Sequence, residues 1–234
     1  LPIRQFVKTE DGWREKLVGL SEDDKLTFGL SAPLNAPDTD DEPGVVREIA
    51  PGMEALVYEL ERRLHAAPGR ALFIDYGHGE PGGHDTLQAL AAHKHADPLD
   101  APGQADLTAH VDFSHLAQLA GEAGLAIDGP ITQGAFLKTL GIELRAEMLK
   151  RAHPERAERI ARELHRLTDE SQMGALFKVI CLSSPNLPPH QLSPTARTDP
   201  QVLGWLKRRL GRDQTARKLY GSIVTQARRP AFYA

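Results

Sequence analysis

The chain has a single cysteine, Cys181, among its 234 residues. An intramolecular disulfide is therefore impossible, which suits a reducing compartment. No uninterrupted apolar run approaches the roughly 20 residues that span a bilayer, and the first residues carry no signal-peptide pattern. A GxSxG elbow, an HExxH zinc motif and a Walker A loop are all missing, so a nucleotide site would have to come from outside this segment. Cys181 lies in the apolar run Phe177 to Leu182. A small core residue is a simpler reading there than a reactive thiolate.

Hydrophobic residues make up 41% and charged residues 26% of the chain, an ordinary globular composition for one or two domains. The formal net charge of −4 is unevenly divided: residues 201–234 hold eight Lys and Arg against one Asp, and residues 1–200 carry −11. The acidic body argues against nucleic acid as a partner, and the basic end suits an acidic protein or a membrane surface.

Residues 3–8, 13–20 and 25–31 read as strands of an antiparallel meander, with Asp11-Gly12 as the first turn and Glu22-Asp23-Asp24 as the second. A polar loop, Ala32 to Gly44, follows. Pro51 suits the first turn of a helix carrying Met53, Leu56, Val57, Leu60 and Leu64 at helical spacing, and Gly69 ends it. The next stretch, Arg70 to His78, reads RALFIDYGH. Its apolar run without alternation predicts a strand buried on both faces of a parallel sheet, with Asp75 at the carboxyl end. Ligands of open α/β sheets lie in the crevice beyond such ends, so Asp75, Tyr76 and His78 form a candidate site; Asp75 as a simple turn cap is the competing reading.

A single strand near 85–94 and a loop through Pro98 and Pro102 come next. Asp112 is placed to cap a helix closing near Gly124, a strand follows at 125–131, and Thr132 is placed to cap a helix over 133–140. Residues 142–152 and 154–167 predict two charged amphipathic helices divided by His153-Pro154, and Phe177 to Leu182 a last buried strand. Residues 184–200 read as a proline-rich linker, and 202–210 and 217–227 as short basic helices.

Six of the ten histidines fall between His78 and His115, beside Asp85, Asp97, Asp106 and Asp112. These are metal-ligand residue types, but without HExxH, and with only a His93-x-His95 pair, their spacing defines no metal site.

LPIRQF at 1–6, DGWREKLVGL at 11–20, LFIDYGH at 72–78, DTLQAL at 85–90, ADLTAHVDF at 105–113, GPITQGAFLKTLGI at 129–142 and MGALFKVICL at 173–182 together resemble the MidA-type S-adenosylmethionine-dependent methyltransferases. That family includes a mitochondrial complex I assembly factor that methylates an arginine of a subunit. The resemblance implies an α/β fold: the second half of a class I, Rossmann-like methyltransferase sheet with an inserted antiparallel meander and a helical insert, over residues 1–183. S-adenosyl-L-methionine is the implied cofactor. Its glycine-rich loop and acidic residue are expected upstream of Leu1, an opening that itself points to a piece of a longer chain, and the segment alone is expected to bind cofactor poorly.

The implied function is protein-arginine N-methylation in respiratory complex I assembly, in a bacterial cytoplasm or the mitochondrial matrix; the alternative is a non-catalytic module that grips a respiratory-complex subunit. Methyl transfer is an in-line displacement that needs alignment, and a guanidinium acceptor needs carboxylates to hold its planar fork and help it lose a proton. Asp75, Asp85, Asp106 and Asp112 are the candidate carboxylates, with Tyr76, His78, Thr108 and Gln133 as orienting partners. Caps at Asp85 and Asp112 are equally consistent with the pattern. Residues 203–234, LGWLKRRLGRDQTARKLYGSIVTQARRPAFYA, resemble the start of the ubiquinol-cytochrome c chaperone family.

Overall fold

The computed structural model describes residues 2–35, 40–80, 82–92, 94–187 and Leu192. The basic segment 201–234, with its expected helices and chaperone-like resemblance, lies outside the described residues, as does most of the linker. The described chain divides into two compact units. One comprises Leu1–Ala71, Tyr76–Ile127 and Leu182–Leu187; the other holds Leu72–Asp75, Asp128–Cys181 and Leu192.

The first unit opens with the expected meander, β1 (Arg4–Thr9), β2 (Gly12–Leu20) and β3 (Leu26–Leu30). Gly12 supports the first turn with φ of 119°, a conformation side chains resist. A fourth strand, β4 (Val46–Ile49), pairs antiparallel with β1 and gives the order β3-β2-β1-β4. Four residues emerging from an acidic, proline-containing loop are too few to show alternation.

Helix α1 (Gly52–Ala66) starts at Pro51 as expected and buries Met53, Val57 and Leu64. Ser184 secures its end: the hydroxyl donates to Leu64 O at 2.7 Å and accepts from Gly69 N–H at 2.9 Å. Strand β5 (Arg70–His78) follows.

Two expectations about β5 need correction. The strand runs three residues past Asp75, so its carboxyl end is Gly77-His78 and Asp75 lies within it. It is also only partly buried, with Leu72 38% exposed. Its neighbour on one side, β9 (Val111–Asp112), is two residues long and faces only Gly77 and His78. The strand enclosed on both faces is β11, introduced below.

In place of one strand at 85–94 there is a small antiparallel sheet of β6 (Gln88–Ala91), β7 (Lys94–Ala96) and β8 (Asp106–Thr108), ordered β7-β6-β8. Asp112 caps α2 (Phe113–Glu122) as expected, accepting from His115 N–H at 2.9 Å.

The second unit contains β10 (Ala126–Thr132), whose first two residues belong to the other unit, then α3 (Gln133–Thr139), α4 (Ile142–Ala152), α5 (Ala157–Thr168), α6 (Met173–Leu176) and β11 (Phe177–Ser183), whose last two residues belong to the other unit. Thr132 caps α3 by accepting from Ala135 N–H. His153-Pro154 does separate α4 from α5, and a single 3-10 turn over Pro154–Arg156 precedes α5. The order places β11 between β10 and β5. Val179, Ile180 and Leu182 of β11 are fully enclosed, and Cys181 packs with Phe136, Leu137, Ile142 and Leu167 as a core residue.

Candidate functional site

The site is built in the first unit, where β5 and β9 run parallel with Gly77 opposite Val111 and His78 opposite Asp112. A Cβ on Gly77 would lie 2.1 Å from Val111 O, so only glycine lets the two backbones approach this closely. The register brings His78 Nδ1 to 3.8 Å from Asp112 Oδ1.

The same Nδ1 meets the carbonyl oxygen of Glu80 at 2.5 Å. A carbonyl only accepts, so Nδ1 carries the proton and Nε2 is the acceptor nitrogen of the neutral ring. Asp112 accepts from Ser114 Oγ and from His115 N–H on Oδ1, which leaves Oδ2 outside the helix cap.

A pocket opens over this pair, lined by Arg47, Glu48, His78, Gly82, His84 and Asp112. Arg47 closes one side, donating to Gly82 O at 2.9 Å and to Asp41 Oδ1 at 2.6 Å. Glu48 is fixed from behind. It accepts from Gln5 Nε2 at 2.7 Å, from Thr86 N–H at 2.9 Å and from the Thr86 hydroxyl.

Gln5 is buried, and its amide nitrogen also donates to Asp85 Oδ1 at 2.6 Å, so one NH2 group bridges two carboxylates. Lys16 Nζ completes the chain of contacts at 2.7 Å from Asp85 Oδ2. Burial by itself pushes the Asp85 carboxyl up. Lys16, Gln5 and the Leu87 N–H together outweigh it and leave the group below its ordinary 3.8.

The residues singled out from sequence separate into four sets. His78 and Asp112 face one pocket, and Tyr76 lies close by in the same unit with its ring edge-on to His110, centroids 5.7 Å apart. Asp85 holds the network behind Glu48 and does not line the pocket. Asp106, at the start of β8, is exposed, and Thr108 ends that strand with a buried hydroxyl that meets no hydrogen-bond partner among the described residues. Gln133 and Asp75 belong to the second unit. There the Gln133 side chain is buried and donates to Leu167 O at 2.9 Å, tying α3 to α5. Among the described residues no three His, Cys, Asp or Glu side chains gather closely enough to hold a metal ion. His93 lies outside them.

Arg47, Glu48 and Gly82 escaped the sequence reading, as did Gln5, and His84 entered it only as a member of the histidine cluster. A signal was available for Gly82: the expectation that the chain has no GxGxxG sequence needs correction, because Gly77, Gly79 and Gly82 carry the spacing G-x-G-x-x-G from the carboxyl end of β5. That spacing cradles a phosphate only where a helix follows it. Here the chain goes on to β6, the space beside Gly77 is filled by the Val111 carbonyl, and a Cβ on Gly82 would lie 2.9 Å from His78 Nε2. These glycines serve a close strand approach and an uncovered imidazole nitrogen. They do not form a cradle for a nucleoside cofactor.

A family model for S-adenosyl-L-methionine-dependent methyltransferases matches residues 1–131, more than half of the chain. The mitochondrial protein arginine methyltransferase NDUFAF7 of Xenopus tropicalis is 38% identical over 187 residues, covering 76% of this chain and 43% of that protein. Its Homo sapiens counterpart is 37% identical over 198 residues, covering 82% and 43%. The chain thus spans less than half the length of the curated relatives it matches. A solved structure of a Burkholderia thailandensis protein bound to S-adenosyl-homocysteine superposes with a TM-score of 0.73 at 28% identity, over 84% of this chain and 53% of that one.

Proposed function

The chain belongs to the S-adenosyl-L-methionine-dependent methyltransferase family, and from that premise we propose that it forms the acceptor-binding part of a protein-arginine N-methyltransferase. The observation that carries this reading is the imidazole–carboxylate pair His78–Asp112 at the carboxyl ends of two parallel strands, with a second carboxylate, Glu48, in the same pocket.

A guanidinium is cationic, planar and always protonated in water, with a pKa above about 12. Asp112 Oδ2 and Glu48 offer carboxylate oxygens suited to its N–H fork, and the three hydrogen bonds that hold Glu48 favour one orientation. S-adenosyl-L-methionine supplies an activated methyl group on a sulfonium centre. An arginine nitrogen that took up that methyl group would have to shed a proton. His78 Nε2 is the acceptor for that proton, and the Asp112 carboxylate stabilises the imidazolium that results. Asp85 and Gln5 act as positioning residues through Glu48.

The described residues offer no cradle for the donor, so donor-binding residues are proposed to lie upstream in the longer protein. A role in respiratory complex I assembly, with a complex I subunit as substrate, is proposed from the family resemblance, and the relatives' names support arginine methylation in a mitochondrial setting. The mitochondrial matrix, or a bacterial cytoplasm, is the corresponding compartment. No described helix is long and apolar enough to cross a membrane. The basic segment 201–234 is proposed to contact a membrane surface or an acidic protein.

The test pairs titration calorimetry of S-adenosyl-homocysteine with a methylation assay on an arginine peptide, on this chain and on the longer protein. Binding and turnover by the longer form, with turnover but not binding lost in His78→Gln, supports the reading. Folded protein in which neither form binds S-adenosyl-homocysteine overturns it in favour of a non-catalytic assembly module.

A further inference from the structure

Strand β3 is the outer strand of the meander sheet, and among the described residues it pairs only with β2. The hydrogen bonds flanking that ladder set its phase: Ser31 N–H donates to Glu15 O at 2.9 Å and Ser21 N–H to Lys25 O at 2.8 Å. Odd-numbered residues of β3 therefore exchange their backbone bonds with β2. The N–H and C=O groups of Leu26, Phe28 and Leu30 point away from the sheet.

The same three residues form a largely apolar face, since Val18 lies opposite Phe28 and Leu20 opposite Leu26, while Lys16, opposite Leu30, sets its ammonium 4.2 Å from the Phe28 ring centroid at one end. Exposure along it is high: Val18 55%, Leu20 66%, Leu26 38% and Leu30 48%. Protein edges are ordinarily blunted by a charge, a proline or a bulge. The segment Leu-Thr-Phe-Gly-Leu, residues 26–30, has none of these.

The segment is also symmetric about its centre, with Leu at both ends and Phe28 between. We infer that β3 pairs antiparallel with β3 of a second copy of this chain, about a two-fold axis at Phe28, to give one continuous sheet. In that register Leu26 faces the partner's Leu30, Phe28 faces the partner's Phe28, and every outward-pointing backbone group meets an outward-pointing group. Each of the three pairs exchanges two hydrogen bonds, and the two apolar faces become contiguous. A slip of one residue sets outward groups against inward ones. A slip of two sets Leu30 against Asp24, whose φ of 56° places it in the turn, or carries Leu26 beyond the strand to Ala32. An isologous contact of this kind closes on itself and stops at two copies.

The inference is independent of the methyltransferase reading, and its test needs no activity. Light scattering of the purified full chain at about 100 µM should give twice the chain mass, with the dimer populated by mass action. The double variant Leu26→Lys/Leu30→Lys should return a monomer with an unchanged far-UV circular dichroism spectrum. Phe28→Cys probes the register, because hydrogen-bonded antiparallel neighbours have Cα atoms about 5.5 Å apart, within disulfide reach. On oxidation it should cross-link to a dimer, and Thr27→Cys, which faces the partner's Gly29, should not. A monomeric wild-type chain overturns the proposal and leaves the face for a different partner. So does a dimer that survives the double lysine variant, or equal cross-linking at positions 27 and 28.

Discussion

Replacing Gly77 by Ala should break the geometry on which the candidate site depends, and the size of the effect can be worked from the distances. The new methyl would sit 2.1 Å from Val111 O, 2.9 Å from Val111 C and 3.0 Å from Val111 N. All three are backbone atoms, so no side chain can swing clear, and β9 must retreat by about 1 Å to reach ordinary contact distance. Overpacking of this kind costs about 1–3 kcal/mol. The pairs Gly77–Val111 and His78–Asp112 are the whole of the β5–β9 ladder, so their weakened hydrogen bonds add about 1 kcal/mol.

The alanine also restricts the unfolded chain, an offset of about 0.5–1 kcal/mol. The net expectation is a loss of about 2–3 kcal/mol. With a urea m-value near 2–3 kcal/mol/M for a chain of this size, the midpoint should fall by about 1 M. Gly83→Ala is the control, because its Cβ would meet only Val45 Cγ1, at an ordinary 3.5 Å. It should stay within about 0.5 kcal/mol of wild type. Equal midpoints for Gly77→Ala and wild type would refute the claim that the close approach is required.

Two further outcomes follow from the network behind Glu48. Gln5→Leu keeps the side chain's bulk but removes the NH2 that bridges Glu48 and Asp85, and should cost about 1–3 kcal/mol in urea unfolding because two carboxylates lose a donor; stability equal to wild type would show that the bridge contributes nothing. For Asp85 the folded carboxyl titrates below its ordinary value, so its stabilisation is complete above the unfolded value of about 3.9 and disappears as pH falls through the folded one. The stability gap between wild type and Asp85→Asn should therefore be largest above about pH 4 and close below it, and a gap that stays constant from neutral pH into acid contradicts the assignment.

The difference between what could and could not be read from sequence follows the reach of each interaction. Caps are local, and Asp112 and Thr132 were placed correctly because donor and acceptor lie three residues apart. Helices α1 and α4 declared themselves through periodicity and a bounding proline or glycine. The meander was legible because hairpins join neighbours in sequence, but β4, β6, β7 and β8 have at most four residues each and pair across loops, too short for alternation to register.

The pocket fell on the illegible side for the same reason. Gln5 works through partners 43 and 80 residues away, and nothing in LPIRQF distinguishes it from a surface amide. Gln133 shows the same reach from the other side: a polar residue opening a helix next to a family motif invited a substrate role, and the structure adds a packing role, its amide donating to Leu167 O, 34 residues on. Asp112 joins the two cases. Reading it as a helix cap and reading it as a site carboxylate looked like alternatives, but the cap bonds use Oδ1 alone, and the same residue lines the pocket. A cap bond from the backbone also fixes the carboxylate's orientation, so in the proposed reading the structural role is part of what would suit Asp112 to hold a cation beside His78.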